Sequence, residues 1–471
     1  MSESNNLAKN TLIFGVSGTI TKLIQFALLS LYTSVLSKEQ FGFVELLNST
    51  TELLVPILTL SISESALRYA LDKNSSKSAI LSNGLAIVII GVLFVFFLYP
   101  FFVSSFSNNI ALCFCFLYAT SATRQLLGMF ARGINEIRLF FFSSVLNAFA
   151  LLIFSYFLLI YNKSGITGYL LAIIFSNLLS IIVLFFFGKM YSMIRYTAID
   201  RMLMKQMCAF SLPLVPGLIS WWLINVSGRF FVLEYRDVAA AGLFTAASKL
   251  PASVNLLTTM FQQSWQISAS ATYDENGRDQ FYSEVFKSVS ALILIFGSLM
   301  IALAPYLSKL LLIGEFYSAW IYSPFLILAA VASCYSAFIG TIFFAAKRNA
   351  ITMRTTIAGA MVNVVLCILL IKPFGILGAS VAGFASYTFI VGYRFLELNK
   401  FVSIQVDLPK LLFSALLLLV QATVASFGEP RFFWVSFLMF FLTLLIHHQS
   451  LKGLLKQLSA KIMNHLKHAA G

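Results

Sequence analysis

The sequence predicts an all-α integral membrane protein of about 14 transmembrane helices: two six-helix pseudo-repeat lobes plus two C-terminal helices. Three observations lead there. Hydrophobic residues make up 59% of the chain and charged residues 11%, where a soluble domain carries about a quarter charged. Apolar stretches of roughly 20 residues or more, enough helix to cross a bilayer core of about 30 Å, recur along the chain. Turn motifs of the first half return about 200 residues later in the second. With no water at mid-membrane the backbone must bond to itself, so the stretches are helices.

The spans are expected at 10–36, 42–70, 79–104, 109–132, 138–161, 166–189, 208–234, 240–268, 283–308, 321–346, 352–372, 374–398, 409–427 and 432–448. The first follows a polar stretch whose sole basic residue is Lys9. It is too long for a signal-peptide core and lacks a clear small-residue cleavage site, so it reads as an uncleaved span. Pro56, Pro213, Pro216 and Pro251 fall within spans two, seven and eight, where proline interrupts the hydrogen-bond ladder and bends the helix.

Loop charges set the orientation. With the N-terminus in the cytoplasm, about twenty Lys and Arg lie in cytoplasmic loops and tail, and about six on the opposite side. An even number of spans places both termini inside. The net charge of +14 is spread over these short loops, which excludes a nucleic-acid surface and fits contact with anionic membrane lipids. Cys113, Cys115, Cys208, Cys334 and Cys367 lie in or beside apolar segments and read as small packing residues. All four histidines, His447, His448, His465 and His468, are C-terminal, so no His-based metal or catalytic centre is expected within the lobes, and no cofactor is implied.

The repeat divides the chain into an N-terminal lobe (1–189), a basic cytoplasmic linker (190–207), a C-terminal lobe (208–398), two further helices (399–448) and a basic amphipathic tail (449–471). Its signatures come in pairs. Leu36-Ser37-Lys38-Glu39-Gln40-Phe41-Gly42 answers to Tyr235-Arg236-Asp237-Val238-Ala239-Ala240-Ala241-Gly242. Gly165-Ile166-Thr167-Gly168 answers to Gly375-Ile376-Leu377-Gly378. The basic turns beginning at Arg132 and Lys347 form a third pair. Six spans per half keep the halves in one orientation, as in transporters that rock parallel repeats about a common site. In the tail, Leu451, Leu454, Leu455, Leu458 and Ile462 share a face opposite lysines, the pattern of an interfacial helix.

Charges inside a membrane are costly and mark function. Lys22, Glu45, Glu52, Glu64, Arg68, Arg124, Arg229, Lys249, Arg394 and Glu397 lie within the expected spans. Glu45, Asn48 and Glu52 form one stripe of span two; Gly18, Thr21, Lys22 and Gln25 form one on span one. Such stripes on spans one, two, seven and eight would line a shared, water-accessible cavity. Lys22, Arg124, Arg229 and Lys249 are the candidate substrate-binding residues, because Arg and Lys in a low-dielectric cavity hold phosphate strongly. Structural Lys22–Glu52 or Arg229–Glu45 pairs are the alternative. Glu45 and Glu52 are candidates for a coupling proton, since desolvation raises a carboxylate toward neutral titration. Glu64 and Arg68, one turn apart, are expected to pair.

Lys9-Asn10-Thr11-Leu12-Ile13-Phe14-Gly15, Leu31-Tyr32-Thr33, Leu36-Ser37 through Phe41-Gly42, and Phe210-Ser211-Leu212-Pro213-Leu214-Val215-Pro216 together resemble the polysaccharide-transporter flippases. These belong to the multidrug/oligosaccharidyl-lipid/polysaccharide exporter superfamily. The resemblance implies a multi-pass protein of the bacterial inner membrane that moves undecaprenyl-diphosphate-linked oligosaccharide, typically an O-antigen unit, by alternating access. It implies a cationic cavity and coupling to an ion or proton gradient. The span count also resembles the lipid II flippase branch. Partners are then the polyprenyl diphosphate-linked glycan, membrane lipids, and glycan polymerase and chain-length machinery. Drug efflux on the same fold would favour an acidic cavity. A membrane enzyme acting on lipid-linked glycans would display a sizeable external loop with catalytic residues, and none is present, so no catalytic residue is expected.

Overall fold

The computed structural model describes residues 21, 23–72, 75–273, 277–427, 433–449 and 452. Among them the regular elements are helical and there is no strand. Eleven helical segments are long and apolar enough to cross a membrane, and α1 (Leu23–Val35) and α18 (Phe433–Gln449) are shorter apolar helices. The remaining expected span is a broken helix, described below. The protein is a multi-pass, all-α membrane protein of about 14 helices. The expected amphipathic tail, apart from Lys452, and residues 10–20 of span one lie outside the described residues.

The chain forms two compact units, Met1–Trp222 and Leu223–Gly471. The first contains α2 (Lys38–Leu58), α3 (Ile62–Ala70), α4 (Lys77–Phe97), α5 (Tyr99–Ser105), α6 (Asn108–Gly133) and α7 (Ile137–Ser155). A π-helical turn, Tyr156–Tyr161, extends α7, and α8 (Gly165–Phe187) and α9 (Arg201–Ser211) follow. α6 packs against α2, α3, α4 and α8, and its Tyr118, Leu126 and Phe130 are fully buried. On α4 the outward stripe Ile89, Ile90, Leu93 and Phe97 is exposed, as a lipid-facing surface requires.

α10 (Val215–Tyr235) crosses from one unit to the next. The second unit adds α11 (Val238–Lys249), α12 (Ala252–Ala271), α13 (Arg278–Leu311), α14 (Ser323–Ala345), α15 (Asn349–Phe374), α16 (Ile376–Leu398) and α17 (Leu408–Ser426). α14 is its most enclosed span and packs on α12, α13, α16 and α17. Trp265 stacks on Phe338 with ring centroids 4.8 Å apart and donates its Nε1–H to the Phe338 carbonyl at 3.3 Å. Gln421 ties α17 into the unit. Its Oε1 accepts from Ser298 Oγ at 2.7 Å, and its Nε2 donates to the Ser298 and Ser436 carbonyls at 2.9 and 3.0 Å.

Span three is interrupted at Leu98, between α4 and α5, and spans two and eight are broken further from their ends. Span two stops at Leu58, Leu60 and Ser61 take left-handed conformations with φ of 50° and 53°, and α3 starts at Ile62. Span eight breaks between Lys249 and Ala252, around Pro251, which has no N–H to give. The expected Glu64–Arg68 pair is not formed. Glu64 occupies the first turn of the nine-residue α3 and Arg68 its last, so each charge complements the dipole at its own end, and Glu64 faces Arg132 of α6.

The paired sequence signatures adopt the same local structure. Ser37 caps α2 and Asp237 caps α11, each accepting from the backbone N–H three residues on. Asn135 and Lys347 are both left-handed, at φ 67° and 57°, before α7 and α15. Gly165 and Gly375 both have positive φ, 51° and 58°, before α8 and α16. Gln40 lies over the first glycine and Arg236 over the second, where Arg236 Nη2 also donates to the Lys372 carbonyl at 3.0 Å.

Gly378 lets α16 close on the end of α15, since a Cβ there would lie 2.2 Å from the Leu370 carbonyl oxygen. Gly378→Ala is therefore expected to cost about 1–3 kcal/mol, read as a lower thermal midpoint of the detergent-solubilised protein.

Candidate functional site

The candidate residues divide between the two units. In the first, Glu45 on α2 is 4% exposed, although it is a carboxylate in a membrane span. Its Oε1 accepts from the Tyr169 hydroxyl of α8 at 3.0 Å. Tyr169 lies against Tyr32 of α1, ring centroids 4.6 Å apart, and the Tyr32 hydroxyl meets Ser155 Oγ of α7 at 3.0 Å. Four helices thus converge on one buried acid. Along the same stripe, Asn48 donates to Glu52 Oε1 at 3.2 Å and Glu52 is exposed. The helix therefore turns its acids from a closed environment to an open one within two turns.

A second polar group lies between α6, α7 and α8. Asn147 Nδ2 donates to Asn177 Oδ1 at 3.3 Å, and Asn177 Nδ2 donates to Ser121 Oγ at 3.3 Å. One turn on from Ser121 is Arg124, and one turn on from Asn177 is Ser180. Arg124 Nε and Ser180 Oγ are buried and meet no hydrogen-bonding partner among the described residues. Buried polar groups are normally paired, so these are unspent donors in a low-dielectric setting. Trp222 closes the unit by donating its Nε1–H to the Ser49 carbonyl of α2 at 2.9 Å.

In the second unit Arg229 is half-buried on α10 and follows Gly228, whose position is packed by Phe244 of α11 and Ala379 of α16. Lys249 is the last residue of α11, half-buried at the break in span eight. A cation there also suits the negative end of the helix dipole. Nearby faces are polar: Tyr387 donates to Asn225 Oδ1 at 3.0 Å, and Ser227 donates to Asn363 Oδ1 at 3.3 Å. Lys22 lies outside the described residues.

Tyr169, Asn147, Asn177 and Ser180 were not among the residues expected from sequence. Tyr169 directly follows the Gly165–Gly168 turn, but nothing in its spacing announces a partner on α2. No group of His, Cys, Asp and Glu able to hold a metal ion occurs among the described residues.

Comparison with known proteins places this architecture. A family model described as "Polysaccharide biosynthesis protein" matches residues 7–266, more than half of the chain. No curated protein sequence matches. Among solved structures, the lipid II flippase MurJ in an inward closed conformation superposes with a TM-score of 0.67 at 13% identity, covering 93% of this chain and 98% of that one. An inward-facing multidrug resistance MATE transporter of the MOP superfamily gives 0.65 at 10% identity, covering 82% and 95%. A MOP superfamily transporter from Pyrococcus furiosus, described as having a binding pocket of reverse polarity, gives 0.58 at 13%, covering 83% and 96%.

The unspent donors separate structure from function by experiment. Arg124 is half-buried with no carboxylate paired to it among the described residues, so an apolar residue of similar length there removes a desolvation cost. Arg124→Met is therefore expected to keep or raise the thermal midpoint while lowering transport roughly tenfold, the cost of one charge-assisted contact. A lower midpoint with unchanged transport would make Arg124 a packing residue.

Proposed function

The chain belongs to the polysaccharide biosynthesis protein family, on the fold of MOP-superfamily transporters, and from that premise we propose that it is a flippase for lipid-linked oligosaccharide. Its substrate is an undecaprenyl-diphosphate-linked glycan such as an O-antigen unit, carried across the bacterial inner membrane by alternating access. It performs no covalent chemistry. Both termini lie in the cytoplasm, and glycan polymerase and chain-length machinery receive the product.

The observation that carries this reading is Arg124, a guanidinium held inside a span with its Nε buried and unspent. A diphosphate headgroup supplies the acceptors such a donor lacks, and Arg binds phosphate through paired N–H groups. Lys22, Arg229 and Lys249 supply further positive charge within the spans, which weighs against cationic drugs as substrates. Glu45 and Glu52 are the proton-coupling residues in this proposal. Glu45, a buried carboxyl held by the Tyr169 hydroxyl, sits two turns from the exposed Glu52 on the same helix, one acid closed off and one open.

A flippase-null strain expressing this chain tests the proposal. Wild type should restore surface glycan and clear lipid-linked oligosaccharide from the cytoplasmic face. Lys22→Ala, Arg124→Met, Arg229→Ala and Lys249→Ala, at matched membrane levels, should each lower display by about tenfold or more. Normal display by all four would remove the cations from the site. Failure of wild type across several donor glycans would remove the substrate class. Glu45→Gln should leave the fold intact and abolish the response of transport to a collapsed proton gradient.

A further inference from the structure

Arg394 on α16 is 5% exposed, inside a span, and was assigned no role above. Its five N–H groups are all accounted for. Nε donates to Thr355 Oγ1 at 3.0 Å. Nη1 donates to the Ser336 carbonyl at 2.5 Å and to Ser336 Oγ at 2.9 Å. Nη2 donates to the Thr352 carbonyl at 3.3 Å and to Thr356 Oγ1 at 2.9 Å. Every acceptor is neutral, and no carboxylate among the described residues pairs with it. The hydrogen bonds solvate the guanidinium but do not neutralise it, and a buried charge without a counter-ion is costly.

The structure makes room for this arrangement. A side chain at position 340 would place its Cβ 2.9 Å from Arg394 Nη1, so glycine there lets the guanidinium sit against α14. Beside it opens a cavity of about 340 Å³, whose lining includes Gln262, Thr341, Asn349, Thr352 and Arg394 and no acidic residue. That volume falls in the usual range of small-molecule sites, roughly 300–1,000 Å³. Thr352 Oγ1, on the cavity wall, is buried and meets no hydrogen-bonding partner among the described residues. A fixed positive charge therefore stands behind a wall of amides and hydroxyls, one of them unspent.

We propose that this cavity within the second unit is an anion site that takes a phosphoryl group. Arg394 supplies the counter-charge from behind, and the Gln262 and Asn349 amides and the Thr352 hydroxyl supply the donors. The phosphoryl group belongs either to free phosphate or to a phosphomonoester lipid headgroup. None of these residues is in the cation set assigned to the transported substrate, so the site stands apart from the flippase reading.

The test uses the full chain in nanodiscs, with the thermal midpoint as readout, since a ligand bound to the folded state raises it. One arm titrates inorganic phosphate into phosphatidylcholine discs. The other replaces part of the phosphatidylcholine by phosphatidate, with no phosphate added. A rise in the first arm assigns the site to free phosphate; a rise in the second alone assigns it to a lipid headgroup. Asn349→Leu and Thr352→Val each remove a wall donor and leave the five bonds of Arg394 in place. Each should weaken binding by about tenfold, and Arg394→Gln should abolish it. No rise in either arm overturns the proposal. So does a rise that persists undiminished in both Asn349→Leu and Thr352→Val, because the anion then binds elsewhere.

Discussion

The absence of water at mid-membrane governs this molecule. It forces the backbone into helices, and it makes every polar side chain inside a span either find a protein partner or stand as an exposed requirement. The structure displays each solution. Gln421 spends both ends of its amide on Ser298 and Ser436 and so fastens α17 and α18 to α13. Glu45 finds the Tyr169 hydroxyl. Arg394 spends five donors on neutral oxygens and keeps its charge. Arg124 keeps both its charge and a buried donor. The most informative residues are those for which the protein alone provides an incomplete answer.

The helical architecture was legible in the sequence because hydropathy is a local property. Spans of the required length appear as uninterrupted apolar runs, and the helices follow them closely, as with α16 at Ile376–Leu398 against an expected 374–398. The repeat was legible through its turns. Capping and positive-φ residues are dictated by short-range geometry, so Ser37 and Asp237, or Gly165 and Gly375, keep their roles at corresponding places.

The breaks and partners were not legible. An interrupted span reads as one apolar run, because Leu60 and Ser61 carry no mark of a left-handed bend. Glu64 and Arg68 have the spacing of a pair, yet a short helix with its own dipole gives each a separate use. Tyr169 reaches Glu45 across 124 positions, a contact that only packing creates. The burial of Arg394 depended on Gly340, a residue whose meaning lies in the side chain it lacks.

Spans two and eight differ in what their joints permit. Around Pro251 a donor is missing by covalent structure, so no motion of the segment can restore that rung of the ladder. At Leu60 and Ser61 the interruption is conformational, held in a backbone region that costs L-residues roughly 1–2 kcal/mol apiece. Straightening that segment would release strain and recover ladder bonds, set against the packing that now holds α3 on α6. The first unit thus carries a joint that can regain its ladder where the second carries one that cannot, and a sequence repeat has become an asymmetry of compliance.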